Sequence, residues 1–156
     1  VGSDCPFFVF DTPMLATGTG TDLRPIHINA TRDSDISGNA GLSGLTIVIA
    51  KIPGLSVSTA QAYAGVTPNA DVEPLTDILA LPVTSWQGRL VNDFEPSVFA
   101  QLPAVAALKQ TMLAQGAVYA AMSGSGSAVF GLFSTPFTPR ALNTLFPQAI
   151  TFQSTL

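Results

Sequence analysis

The pattern of apolar and polar positions divides the chain into an irregular opening and a regular remainder. Leu45 to Ile52 is an unbroken apolar run rich in β-branched residues and ended by Pro53-Gly54, which predicts a buried strand. Ala117 to Met122 and Ala128 to Phe133 are apolar runs on either side of Ser123-Gly124-Ser125-Gly126-Ser127, predicting strand, glycine turn, strand. Between the first run and this pair the period changes to that of helices. Ser58 is placed to cap a helix over Thr59 to Ala64, closed by Gly65. Val72 to Leu81 reads as a short helix, and Trp86 to Leu90 is ambiguous. Asn92-Asp93-Phe94-Glu95 has the spacing of a capping box that opens a helix to about Ala100. Pro103 starts the clearest helix, to Gln115, with Val105, Leu108, Met112 and Leu113 on one face. Pro139 to Phe146 predicts a last helix and Ala149 to Phe152 a last strand. This half reads as α+β, an antiparallel sheet with helices on one face.

Ahead of Leu45 the signals are weaker. Gly2-Ser3-Asp4 suits the cap of a short helical turn. Pro13 to Thr17 and Leu23 to Ile28 predict two strands around Gly18-Thr19-Gly20, and Asn29 to Gly44, polar and glycine-rich, predicts a mobile surface loop.

Composition narrows the function classes. Of 156 residues 47% are hydrophobic and only 10% charged, so large apolar faces need cover from this chain or from something else. The six basic residues, Arg24, Arg32, Lys51, Arg89, Lys109 and Arg140, are scattered and the net charge is −4, which argues against a nucleic-acid surface. No apolar run reaches the roughly 18 residues of a membrane span. A single cysteine, Cys5, allows no internal disulfide and fits a reducing compartment, the cytoplasm being the expectation. No spacing suggests a metal site, and the lone histidine, His27, reads as a surface or core residue. The start at Val1 without Met suggests a piece of a longer protein.

The candidate chemistry begins at the glycine turn. Gly124 and Gly126 can adopt positive φ, and successive bare N–H groups there could cradle a phosphate; a tight hairpin explains the same glycines. Four segments in order then acquire meaning together: Val1-Gly2-Ser3-Asp4-Cys5-Pro6-Phe7-Phe8, Ala16-Thr17-Gly18-Thr19-Gly20, Val57-Ser58-Thr59-Ala60-Gln61-Ala62-Tyr63-Ala64-Gly65, and Asn92-Asp93-Phe94-Glu95-Pro96 followed by Ser123-Gly124-Ser125-Gly126. The set resembles the C-terminal part of the 4-diphosphocytidyl-2-C-methyl-D-erythritol kinase family, within the superfamily of galactokinase, homoserine kinase and mevalonate kinase. Asn29 to Gly41 stands out from the resemblance as an insertion.

The resemblance implies a fold, a ferredoxin-like C-terminal domain. It implies three regions: residues 1–28 as the tail of the N-terminal, ATP-binding domain, 29–44 as a flexible loop or insertion, and 45–156 as the substrate-binding domain. It implies a reaction, transfer of the γ-phosphoryl of ATP, with Mg2+, to the 2-hydroxyl of a cytidine-diphosphate-linked methylerythritol in non-mevalonate isoprenoid synthesis. Asp4 matches the family's proposed base, although a helix cap would explain it too. Tyr63 matches the ring that stacks on cytosine, although a helical tyrosine also packs on neighbours. Thr59, one turn earlier, shares its face. Ser123, Gly124, Ser125 and Gly126 match the loop that shapes the cleft near the phosphates. The family's main ATP-cradling loop has no counterpart here, so the chain alone is expected to be inactive and, lacking the cover of an N-terminal domain, to self-associate. Two alternatives stay open: another kinase of the superfamily, or a ferredoxin-like ligand-binding or assembly module without catalysis.

Overall fold

The computed structural model describes residues 9, 10, 12–28, 40–67 and 71–156. The first eight residues, with Asp4 and Cys5, and most of the expected 29–44 loop lie outside these.

A small hairpin comes first. Strands β1 (Met14–Thr17) and β2 (Asp22–Pro25) pair antiparallel, Thr17 opposite Asp22, around Gly18 and Gly20, both at positive φ. Pro25 ends β2, so the strand expected to reach Ile28 is shorter. Ile26 and Ile28 leave it to pack on the sheet described next.

That sheet has four strands, β3 (Thr46–Lys51), β4 (Tyr119–Met122), β5 (Val129–Phe133) and β6 (Ile150–Thr155), in the order β4-β5-β3-β6 with every neighbour antiparallel. With the helices between β3 and β4 and between β5 and β6, this is the ferredoxin-like arrangement. The helices are α1 (Thr59–Ala64), α2 (Leu75–Leu79), α3 (Glu95–Gln101), α4 (Pro103–Ala114) and α5 (Arg140–Leu145).

Alternation along the strands sorts the core into two layers. Val48, Ala50, Ala120, Met122, Val129 and Phe133 face one way and pack with Val98 of α3, Val105, Leu108 and Met112 of α4, and Leu142 of α5. The opposite face is also covered, which the sequence reading did not anticipate. Tyr119, Ala121 and Leu132 there meet Ile78, Leu79, Val83 and Trp86. The Trp86 ring lies edge-to-face on Tyr119 at 5.7 Å, and its Nε1–H donates to Leu81 O at 3.0 Å. The ambiguous stretch around Trp86 is therefore a plug rather than a helix or a strand.

Helix α2 is shorter than its apolar pattern suggests because Pro74 stands at its N-cap. A residue before proline is driven out of the helical region, which excludes Val72 and Glu73.

Candidate functional site

The glycine turn links β4 to β5 across 123–128. Gly124 and Gly126 have φ of 55° and 94°. Gly126 N–H donates to Ser123 O at 3.0 Å and Ser123 N–H to Ala128 O at 2.8 Å, so part of the turn's own polar backbone closes the hairpin. A Cβ on Gly126 would sit 2.7 Å from Met122 Sδ. Ser123 and Gly124 are exposed, whereas Ser127 is buried and its hydroxyl donates to Leu55 O.

The turn is gripped by residues 92–95. Asn92 Nδ2–H donates to Met122 O at 2.7 Å and to Gly124 O at 2.8 Å, while its Oδ1 accepts from Phe94 N–H at 2.9 Å. Glu95 Oε1 accepts from Met122 N–H at 2.8 Å, and its Oε2 accepts from Lys109 Nζ at 2.6 Å. Both partners of that ion pair are close to fully buried. This overturns the capping-box reading. The N-cap of α3 is Phe94, with no side-chain cap, and Glu95 points into the domain. Spacing alone cannot separate a glutamate that reaches back along its own helix from one that reaches across to a strand.

The aromatic candidate stands on α1. Its cap is as the sequence predicts: Gln61 N–H donates to Ser58 Oγ at 3.2 Å and Gln61 Oε1 accepts from Ser58 N–H at 3.3 Å. Gly65 closes the helix at a φ of −92°, so its need is room rather than a special conformation: a Cβ there would lie 2.4 Å from Ser97 Cβ of α3. Tyr63 is 65% exposed, and the Phe94 ring meets it edge-on at 4.9 Å and 78°. Thr59, four positions earlier, is exposed as well. Beside this helix an open cleft of about 480 Å³ is lined by Gly65, Thr67, Asn92, Asp93, Pro96 and Phe99. A neighbouring cleft of about 540 Å³ shares Val91 and Asp93 with it and carries the Arg89–Glu73 ion pair.

Of the sequence-predicted residues, Tyr63 and the turn 123–126 are thus related through one short segment, and Thr59 is not tied to it. Phe94, Asn92 and Glu95 were missed as contributors because a capping box already accounted for their pattern. His27 is exposed. Among the described residues no three of His, Cys, Asp and Glu gather as ligands for a metal ion, and no helix is long and apolar enough to cross a membrane.

Residues 80–142 match the family described as GHMP kinases C terminal, in keeping with the ferredoxin-like sheet order. Over most of its length the sequence is similar to 4-diphosphocytidyl-2-C-methyl-D-erythritol kinases. It is 45% identical to the kinase of that name from Parabacteroides distasonis over 87% of this chain and 45% of the relative. To the one from Cytophaga hutchinsonii it is 47% identical over 86% of this chain and 46% of the relative. The crystal structure of a 4-(cytidine 5′-diphospho)-2C-methyl-D-erythritol kinase superposes with a TM-score of 0.71 at 28% identity, covering 97% of this chain and 52% of that one. A homoserine kinase from Cytophaga hutchinsonii shares the fold, with a TM-score of 0.61 at 16% identity over 86% of this chain and 45% of that one. The chain spans about half the length of the curated relatives it matches.

Proposed function

We propose that the protein carrying this chain transfers the γ-phosphoryl group of ATP to the 2-hydroxyl of 4-diphosphocytidyl-2-C-methyl-D-erythritol, and that residues 45–156 supply its substrate-binding domain, 1–28 the end of its ATP-binding domain and 29–44 a flexible loop or insertion. The carrying observation is the sequence likeness to kinases of that name over 85–87% of the chain. The exposed, edge-supported Tyr63 ring fits it. Tyr63 would stack on the cytosine, which contributes about 1–3 kcal/mol per base. Thr59 would meet the substrate beside it, and Ser123, Gly124, Ser125 and Gly126 would line the phosphates. Asp4 would accept the hydroxyl proton. Magnesium would come with ATP and be held mainly by its phosphates. The rest of the protein would complete the donor pocket, in the cytoplasm.

The test is a coupled assay of the protein at its natural length with ATP and the cytidyl alcohol. Turnover is expected, with KM for that alcohol raised about tenfold by Tyr63→Ala. Turnover with homoserine or another alcohol in its place, or an unchanged KM in the variant, would sink the reading.

A further inference from the structure

We infer that Asn92 and Phe94 are positioning residues that fix the nucleobase-facing ring and the glycine turn relative to each other; the kinetic part of this rests on the function proposed above. The segment touches both parts at once. Phe94 is the ring against which Tyr63 stands, at 4.9 Å. Two residues earlier, Asn92 spends both amide protons on the turn, at Met122 O and Gly124 O, 2.7 and 2.8 Å away. Its remaining oxygen is bound to Phe94 N–H at 2.9 Å, so the two side chains are locked through a single backbone bond. Glu95 adds a third tie, to Met122 N–H at 2.8 Å, and is itself held by Lys109. Tyr63 is largely exposed and the turn's tip is exposed, so little else of the described structure restrains them from the solvent side. A ligand that reached from ring to turn would meet two parts whose separation is set from beneath.

Asn92→Asp is the discriminating change. It keeps the acceptor for Phe94 N–H and replaces two donated bonds by a carboxylate facing two carbonyls. Amide exchange is expected to rise at least tenfold at Ser123 and Gly126, with α5 unaffected. In the full-length protein kcat should fall at least tenfold, with KM for the cytidyl alcohol within twofold. Phe94→Leu should do the reverse, raising that KM about fivefold with kcat within twofold. Leu142→Ala, which empties core volume in α5, is the control for lost stability and should show neither split. Unchanged exchange at the turn in Asn92→Asp, or the same kinetic change in all three variants, overturns the inference. A wild-type protein that phosphorylates some other alcohol overturns the functional reading only, and the exchange result still decides whether Asn92 holds the turn.

Discussion

At the scale of single residues, two buried polar groups carry the clearest consequences. The Glu95–Lys109 pair lies inside the domain with side chains only 11% and 12% exposed. Removing one partner strands the other's charge away from water, so Lys109→Met should cost about 3–5 kcal/mol, Glu95→Gln somewhat less, and the double variant less than the sum. Urea melts of the four proteins check this. The second group is Tyr119, whose hydroxyl donates to Leu90 O at 3.1 Å. Burial, and then the Glu95 carboxylate, push this phenol well above its ordinary 10.0. The folded state then keeps the proton after the unfolded state has lost it. Stability is indifferent to this group below about pH 10 and falls above it, by about 1.4 kcal/mol per pH unit. Melts at pH 8 and pH 11 should show a steeper alkaline loss in wild type than in Tyr119→Phe. Neither group was legible as such in the sequence. A tyrosine within an apolar strand and a lysine within a helix are ordinary, and only the packing makes them buried neighbours.

Among the elements, the edge of the sheet at β4 explains why 86–90 resisted a secondary-structure reading. An edge strand leaves alternate N–H groups without a ladder partner. Here Ala120 N–H donates to Gln87 Oε1 at 3.0 Å and Met122 N–H to Glu95 Oε1 at 2.8 Å. The stretch runs beside β4 as an irregular strap that satisfies the edge with side chains instead of backbone, so it has no period to read. The helices and strands that do have a period were legible. Helices α1 and α4 and strands β3, β4 and β5 lie where their caps and apolar runs placed them, within a residue or two. The turn glycines were legible through their conformation; Gly65 ends α1 as its position predicts, and the need for clearance from Ser97 was not legible. Gly65→Ala should cost about 1–3 kcal/mol by pressing α1 against Ser97. Part of that cost should return in Gly65→Ala with Ser97→Gly, read by thermal melts.

For the whole molecule, the far edge of the sheet is the contrast. On β6, Ile150 and Phe152 are 68% and 62% exposed, on the side of the sheet away from α3 and α4, where Phe152 stands opposite Ile49. Self-association of residues 1–156 on their own is the expected outcome, and Ile150→Thr with Phe152→Thr should weaken it in sedimentation velocity. On the reading proposed above, residues 1–156 alone should show no ATP-dependent phosphorylation of the cytidyl alcohol, which the same coupled assay checks. The likeness to these kinases was legible from four short segments in order. The candidate site was half legible, its exposed parts but not what holds them. The glycine turn is tied by bonds to residues 27, 30, 32 and 72 positions away in the chain. None of these ties exists in a chain that has not closed its long loops, so a ligand held at that turn would be recognised by folded copies alone. Its abundance then governs how many copies escape a protease, by about 2.7 kcal/mol when it is present at a hundred times its dissociation constant.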